Sequence, residues 1–221
     1  MPLRLKILCC EVLFREVSLL AARSPNVCDT VFLPRGLHNL GTEKMANRIQ
    51  QELGRVKSGS CDAVLLGYGL CNNGIAGLAC PSAKLVVPRV HDCIALFMGS
   101  RQLFLDYFNA HPGTYYRTTG WYERLENAEL AGEGVMDKMG LFQERQRLVE
   151  KYGEDNADYI LKTMGDPLAH YNRLTFISMG LDQEDPFREK ARGEAAEKGW
   201  TFEDFKGSFG LLKKLVDGPW D

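Results

Sequence analysis

The sequence lacks several features that would place it in a common class of proteins. It has no apolar run close to the roughly 20 residues of a membrane-spanning helix. Its opening residues, MPLRLKILCCEVLF, lack the small-residue cleavage site of a secretory signal peptide. The formal net charge of its 221 residues is only -2, so no basic field favours nucleic acid or an anionic membrane. We therefore expect a cytoplasmic protein that binds neither nucleic acid nor membrane.

Two common nucleotide-binding signatures are also missing. The segment GYGLCNNG, residues 67–74, is rich in glycine but has neither G-x-G-x-x-G spacing nor a G-K-[ST] end. Glycines such as Gly69 instead indicate tight turns and a close approach of the backbone to a ligand. Asn72 and Asn73 are candidates for ligand contacts, although the ordinary role of such residues is to cap a helix.

Cysteine is absent after residue 93, and its distribution before that point is informative. The chain has seven cysteines, with no C-x-x-C pair among them. An odd number argues against a disulfide framework and leaves metal binding or catalysis as the functional roles. Free cysteine is also a common buried apolar residue. We assign that structural role to Cys9, Cys28, Cys61 and Cys80.

Strands and helices alternate in the first 110 residues. Short apolar runs predict four strands, and helical patterns follow them, including a helix from about Asn72. The predicted strands are LRLKILCC, VCDTVFLP, CDAVLLGY and AKLVVPRV. Strands that alternate with helices pair in parallel through right-handed crossovers. We therefore expect a doubly wound, mainly parallel, Rossmann-like α/β fold.

The pattern changes after His111. The stretch PGTYYRTTGWYERLE predicts a strand that leads into a helix, and residues 126–165 are charged and helical in pattern. YNRLTFISMG predicts a further strand, and the remaining residues predict two helices around the loop GWTFED. No internal repeat or low-complexity linker marks a second domain. We therefore expect one α/β domain, residues 1–221, with a helical insertion at 126–165.

Potential ligands follow the carboxyl ends of all four predicted strands. In open parallel sheets, ligands bind outside these ends. Cys10 ends the first strand, Arg35 and His38 follow the second, Cys71 follows the third and Cys93 follows the fourth. A purely structural role would scatter cysteines along strand interiors instead of concentrating them at one edge. A surface location is the alternative for His38. We predict four metal ligands: Cys10, His38, Cys71 and Cys93.

The chemistry of thiols favours a metal at this edge. A cysteine in the first turn of a helix sees the positive end of the helix dipole, which favours thiolate, and we predict this position for Cys71 and Cys93. Three close thiolates repel one another unless a cation compensates them. Zinc with three protein ligands and one open position is a usual catalytic arrangement, and an iron-sulfur cluster is an alternative. The same pattern is compatible with a metal-free cysteine nucleophile and with purely structural thiols.

The dipeptide His91-Asp92 directly precedes Cys93. It could act as an oriented acid-base pair in which Asp92 orients a histidine or moves a proton. The alternatives are that the two side chains point apart and that Asp92 caps the next helix. Among the aromatic residues that follow, most belong in the core, and Tyr115 or Tyr116 is a candidate to line the site. We predict His91 and Asp92 as the catalytic residues.

Three motifs resemble a known family. LLGYGLCNNG, VPRVHDC and HPGTYYRTTGW resemble, in the same order, motifs of the domain-of-unknown-function 1638 family of bacterial and archaeal proteins. The family's genes are frequent neighbours of corrinoid-dependent methyltransferase systems, so the resemblance implies a role in one-carbon metabolism. It also implies that members continue past GPW into a final strand and a histidine-containing loop. The positions that match the family motifs are Cys71, Arg89, His91, Asp92, Cys93 and 113–116.

Two functions follow, and the oligomeric state stays open. The first is a metal-dependent enzyme of one-carbon or methyl-transfer metabolism, in which zinc activates a small substrate. The second is a non-catalytic accessory protein that binds a corrinoid, an iron-sulfur cluster or a partner methyltransferase, with residues 126–165 as its docking surface. The predicted cofactor-binding residues are Gly69, Asn72, Asn73, Arg89, Tyr115 and Tyr116.

Overall fold

A computed structural model describes residues 1–71, 73–124, 148–157, 159 and 170–220, with residues 38–40 described by their backbone alone. All strand pairs in it are parallel. The strands are β1 (Arg4–Cys10), β2 (Val27–Leu33), β3 (Ala63–Gly67), β4 (Lys84–Val86), β5 (Thr114–Arg117), β6 (Arg173–Ser178) and β7 (Thr201–Lys206).

Helices connect most of these strands. None of the described helices is long and apolar enough to cross a membrane. Residues 148–152 and 154–157 are also helical. The remaining helices are α1 (Phe14–Arg23), α2 (Thr42–Gly54), α3 (Cys93–Met98), α4 (Arg101–Ala110), α5 (Thr119–Glu123), α6 (Asp185–Glu197) and α7 (Gly210–Asp217).

The first sheet has the strand order β2-β1-β3-β4. The chain moves from β1 to one side and then crosses back to place β3 on the other side. This reversal creates a topological switch point at the carboxyl ends of β1 and β3, where doubly wound folds bind ligands. Cys9 pairs with Gly67 across the two strands. A Cβ on Gly67 would lie 2.3 Å from the Cys9 Cβ, so the absence of a side chain at Gly67 leaves space for the side chain of Cys9.

The second sheet has the order β5-β6-β7 and a small core of its own. The predicted fold class, a Rossmann-like α/β fold with parallel strands, is therefore confirmed, with the strands divided between two sheets. The buried residues of the second core are Tyr115, Tyr122, Leu174, Phe176, Ala191 and Ala195.

The two sheets share contacts and a larger core. Ile177 and Met179, at the end of β6, are buried in the same core cluster as the first sheet. The backbone N–H of Ser208 donates to the carbonyl of Phe97 at the end of α3, at 2.9 Å. Helix α7 then packs on α1 and β3, so the chain returns to the first sheet after β7.

Two predictions of local structure are wrong. The segment GWTFED is not a loop, because Thr201–Lys206 forms β7 and pairs with β6. No helix begins near Asn72 among the described residues, where turns run over 73–77. Cys71 and Asn73 have φ angles of 47° and 63°, in the left-handed region, which a right-handed helix cannot accommodate. The predicted insertion at 126–165 lies mostly outside the described residues.

Candidate functional site

The carboxyl ends of the two sheets meet around the end of β1. Gly120, in α5, packs so closely on Val12 that a Cβ would lie 1.9 Å from the Val12 carbonyl oxygen. Arg35, which follows β2, lies over the ring of Trp121 in α5, with its Cζ 4.6 Å from the ring centroid. The ends of β1, β2 and β5 therefore enclose one region of the molecule.

Three cysteines bring their thiols to this region. Cys10 is the last residue of β1, Cys71 lies in the turn after β3, and Cys93 is the first residue of α3. Their exposed fractions are 4%, 4% and 8%. The N–H of Cys71 donates to the carbonyl of His91 at 3.0 Å, which ties the turn after β3 to the loop before α3. The backbone N–H groups of Gly69 and Cys93 also face the Cys71 sulfur and lower its pKa, against the larger effect of burial.

Burial dominates the acidity of the three thiols. It raises the pKa of Cys10 and of Cys71 to about 12, and it raises the pKa of Cys93 as well. The thiols also interact with one another, since Cys71 and Cys10 both raise the pKa of Cys93. We expected the start of α3 to favour the thiolate form of Cys93. Burial instead raises the pKa of Cys93 by more than the hydrogen bond from its own backbone N–H lowers it. These thiols ionise together only if a cation compensates them.

The turn that carries Cys71 is held in an unusual conformation. Cys71 adopts a left-handed φ of 47°, which is uncommon outside glycine and often marks a functional constraint. Gly69 lies against the backbone of Asp92, where a Cβ would come within 2.5 Å of the Asp92 Cα. The hydrogen bond to His91 and this close contact fix the turn, so Cys71 is placed by backbone packing instead of by a helix.

Asp92 is occupied as the cap of α3. Its Oδ1 accepts hydrogen bonds from the N–H groups of Ile94 and Ala95, at 3.0 and 3.4 Å. The Nδ1 of His91 lies 3.4 Å from Oδ2 of Asp92, while the His91 side chain is 78% exposed. The two predicted catalytic residues thus touch each other. Asp92 also interacts electrostatically with Cys71 and Cys93, which places its carboxylate beside the thiols.

The predicted cofactor-binding residues do not converge on one place. Tyr116 has a buried hydroxyl and interacts with Asp92, whereas Tyr115 packs its ring against Tyr171 and Trp200 in the second core. Arg89 lines a separate cavity of about 230 Å³ together with Arg101, Lys214 and Trp220. Asn73 is exposed in the turn. Asn72 and the side chain of His38 lie outside the described residues.

Four further residues at this edge have atoms left unpaired by the described residues, and of these only Arg35 was noted in the sequence, as a residue that follows the second strand. Buried side-chain atoms without a hydrogen-bond partner in the described part of the chain include Arg35 Nη1, Tyr68 Oη, Thr119 Oγ1 and Trp121 Nε1. Tyr68 directly follows β3, a position at the same edge as the predicted ligands, and this was its one signal in the sequence. The unpaired state of all four side chains depends on packing between distant segments, which a sequence pattern does not display.

The described residues contain no group of three or more His, Cys, Asp or Glu side chains that could hold a metal ion as they are placed. The donor set still fits a soft cation, since buried thiols that repel one another as thiolates are stabilised by a thiophilic metal. Zinc and iron-sulfur clusters both meet this requirement.

Comparison with known proteins supports the resemblance seen in the motifs. The model of the family described as "Protein of unknown function (DUF1638)" matches residues 32–216. No curated protein and no solved structure matches the chain. The matched region covers most of the chain and includes Arg35, Cys71, Cys93 and Trp121. The chain therefore belongs to the DUF1638 family.

Proposed function

We propose that the protein binds a zinc ion through Cys10, Cys71 and Cys93 and acts with it on a small substrate. The observation that carries this proposal is that three buried cysteines, Cys10, Cys71 and Cys93, lie at or after three separate strand ends at one edge of the first sheet. The proposal requires the three sulfurs to reach one ion, with a fourth position left to His38, His91 or the substrate. A zinc ion with three protein ligands supplies Lewis-acid chemistry at its open position.

The residues around the thiols have defined roles in this proposal. Gly69 and the Cys71 turn set the position of the Cys71 sulfur. Asp92 fixes the start of α3, and thereby Cys93, through its two cap hydrogen bonds. Its other oxygen, near His91, is able to hold or pass a proton at the edge of the site.

The reaction class that we propose is one-carbon or methyl transfer. Its support is the family resemblance and the thiolate-rich donor set, which suits the binding of a substrate thiol or another soft group. A non-catalytic accessory role, with a corrinoid protein or a methyltransferase as partner, is the alternative within the same biological setting.

Metal analysis of purified variants tests the zinc site. We expect about one zinc per wild-type chain and loss of that zinc from Cys71→Ser and from Cys93→Ser. Cys28→Ser and Cys61→Ser are matched controls, because both cysteines lie toward the opposite end of the first sheet and are only half-buried. They are expected to keep the metal.

Three outcomes would contradict the zinc site. Unchanged zinc content in the Cys71→Ser, Cys93→Ser double variant would exclude these thiols as ligands. A brown protein with iron and sulfide, purified without oxygen, would replace zinc by a cluster. A colourless, metal-free protein in which one cysteine reacts selectively with iodoacetamide would favour a cysteine nucleophile.

A further inference from the structure

Arg35 is a buried cation with unused hydrogen-bonding capacity. The residue is 5% exposed, and its Nη1 is buried without a hydrogen-bond partner among the residues that the structure describes. Buried polar groups in proteins are nearly always paired, and an unpaired one calls for an explanation. No described residue forms an ion pair with the Arg35 guanidinium. A buried charge in this state is costly unless a ligand pairs with it.

The described surroundings of Arg35 hold the guanidinium in place but give its Nη1 no hydrogen-bond partner. Its Cζ lies 4.6 Å from the centroid of the Trp121 ring. Its backbone N–H donates to the Glu11 carboxylate at 2.8 Å, which fixes the chain but uses none of the guanidinium donors. The titratable groups that interact with Arg35 are Cys10, Arg117, Glu11 and Tyr115.

More unpaired donors belong to the same region. Trp121 Nε1, on the ring that stacks with Arg35, and Thr119 Oγ1, two residues earlier, are both buried without partners in the described part of the chain. The Tyr68 hydroxyl is also buried, has no partner among the described side chains and backbone groups, and interacts electrostatically with Cys10 and Cys71. A guanidinium, an indole N–H and two hydroxyls share the ability to donate hydrogen bonds to an oxyanion.

We propose that Arg35, with Trp121 and Thr119, binds the carboxylate of a small substrate beside Cys10. A planar guanidinium binds a carboxylate through two parallel hydrogen bonds, and its stacking on Trp121 holds it in a fixed orientation. The proposal deepens the function above by making the substrate a carboxylate, and it rests on that function for the presence of a metal nearby. The anion site itself requires no metal.

Thermal unfolding with small anions tests the carboxylate site. Because a ligand that binds only the native state raises Tm, acetate should raise the Tm of the wild type, and neutral acetamide at the same ionic strength should not. Inorganic phosphate should act more weakly than acetate. Equal shifts with acetate and acetamide would overturn the proposal, and a larger shift with phosphate would replace carboxylate by phosphate.

Two variants and a matched control assign the effect to Arg35. Arg35→Gln should abolish the acetate shift, and without acetate it should raise Tm by about 2–4 °C because an unpaired buried charge is removed. Trp121→Phe keeps a stacking ring, loses one donor and should weaken acetate binding several-fold. Arg23→Gln changes an exposed arginine at the end of α1 and should retain the full shift. An acetate shift that persists in both Arg35→Gln and Trp121→Phe would overturn the proposal.

The same measurements separate this site from the zinc site. They are made on zinc-loaded protein and on protein treated with a chelator. An acetate shift in both forms, lost in Arg35→Gln, supports the anion site even if no zinc binds. Loss of zinc affinity in Arg35→Gln with no acetate shift in the wild type would show that Arg35 only balances the charge of the thiolates, which contradicts the proposal.

Discussion

Two buried arginines at the meeting of the sheets show opposite states of pairing. Arg117, at the end of β5, donates two hydrogen bonds to Glu194, at 2.7 and 3.0 Å, and lies over the Tyr115 ring. Arg35, with a similar exposed fraction, stacks on Trp121, but its buried Nη1 has no partner in the described part of the chain. The fold itself supplies hydrogen-bond acceptors for the Arg117 guanidinium, whereas Nη1 of Arg35 can still donate to a ligand.

Buried hydroxyls show the same contrast. The hydroxyl of Tyr107, in α4, is paired with Thr175 of β6 at 2.7 Å and with Glu203 of β7 at 2.8 Å, and the hydroxyl of Tyr122, in α5, donates to Glu194 at 2.7 Å. At the carboxyl edge of the first sheet, the Tyr68 hydroxyl has no partner in the described residues. The contrast is not complete, because the Tyr116 hydroxyl in β5 and both carboxyl oxygens of Glu16 are also buried without a partner among the described residues.

Removing the partner of Arg117 should have the largest effect on stability. Glu194→Ala leaves a buried guanidinium and the Tyr122 hydroxyl without their acceptor. We expect the free energy of unfolding in urea to fall by about 3 kcal/mol, the lower end of the range for a broken buried pair. Glu197→Ala, at an exposed position of the same helix, should change it by less than about 0.5 kcal/mol. Equal losses of unfolding free energy in Glu194→Ala and Glu197→Ala would show that the pairing of Arg117 with Glu194 does not stabilise the fold.

Two buried glutamates, Glu16 and Glu184, provide a second comparison, because they differ in the hydrogen bonds that their carboxyl groups accept. Glu184 accepts hydrogen bonds from Ser178, Met179 and Gly180, while both carboxyl oxygens of Glu16 lack a partner in the described residues. Burial raises the pKa of Glu16 from 4.5 to about 7, with Glu184 and Glu123 as further causes. The native state therefore holds a proton that the unfolded chain releases between these pH values.

The unfolding free energy should consequently fall as pH rises from about 4.5 to 7. Glu16→Gln should be more stable than the wild type by about 2–3 kcal/mol at pH 8 and nearly equal to it at pH 4.5. Denaturant titrations at several pH values measure this difference. Parallel pH profiles for the variant and the wild type would show that Glu16 is not a strained buried acid.

Two glycines give the smallest expected effect and link packing to the site. Gly69→Ala places a Cβ within 2.5 Å of the Asp92 backbone and should cost about 2 kcal/mol of stability. It should also lower zinc content, because it displaces the loop that carries Cys93. Gly193→Ala, in α6 with open space around it, should stabilise by up to about 1 kcal/mol and keep the zinc. Normal zinc content in a folded Gly69→Ala protein would show that this contact does not position the site.

The sequence was sufficient for the features that depend on local pattern. The apolar runs of β1 and β3 and the alternation of strands with helices led to parallel pairing and to the carboxyl edge that carries Cys10, Cys71 and Cys93. The helix expected near Asn72 was wrong because a short glycine-rich and asparagine-rich stretch is compatible with turns in left-handed conformations. The strand β7 was missed because a short edge strand with acidic residues has little apolar pattern.

The contacts between the two sheets could not be predicted from the sequence, because they join residues that are far apart in the chain. The stacking of Arg35 on Trp121 joins residues 86 positions apart in the chain, and the lack of a partner for Arg35 Nη1 within the described chain depends on packing between distant segments. His91 and Asp92 were predicted as an acid-base pair from their adjacency, with capping of the next helix by Asp92 as the alternative. The structure shows Asp92 as the cap of α3 and the His91 side chain as exposed.

The most direct test of the proposed zinc site is X-ray absorption at the zinc edge of the zinc-loaded wild-type protein. Coordination by Cys10, Cys71 and Cys93 predicts a shell of about three sulfur atoms at about 2.3 Å. The Cys93→Ser variant should lose one of these sulfurs or the zinc itself. A shell containing only nitrogen and oxygen at about 2.0–2.1 Å would contradict the thiolate site.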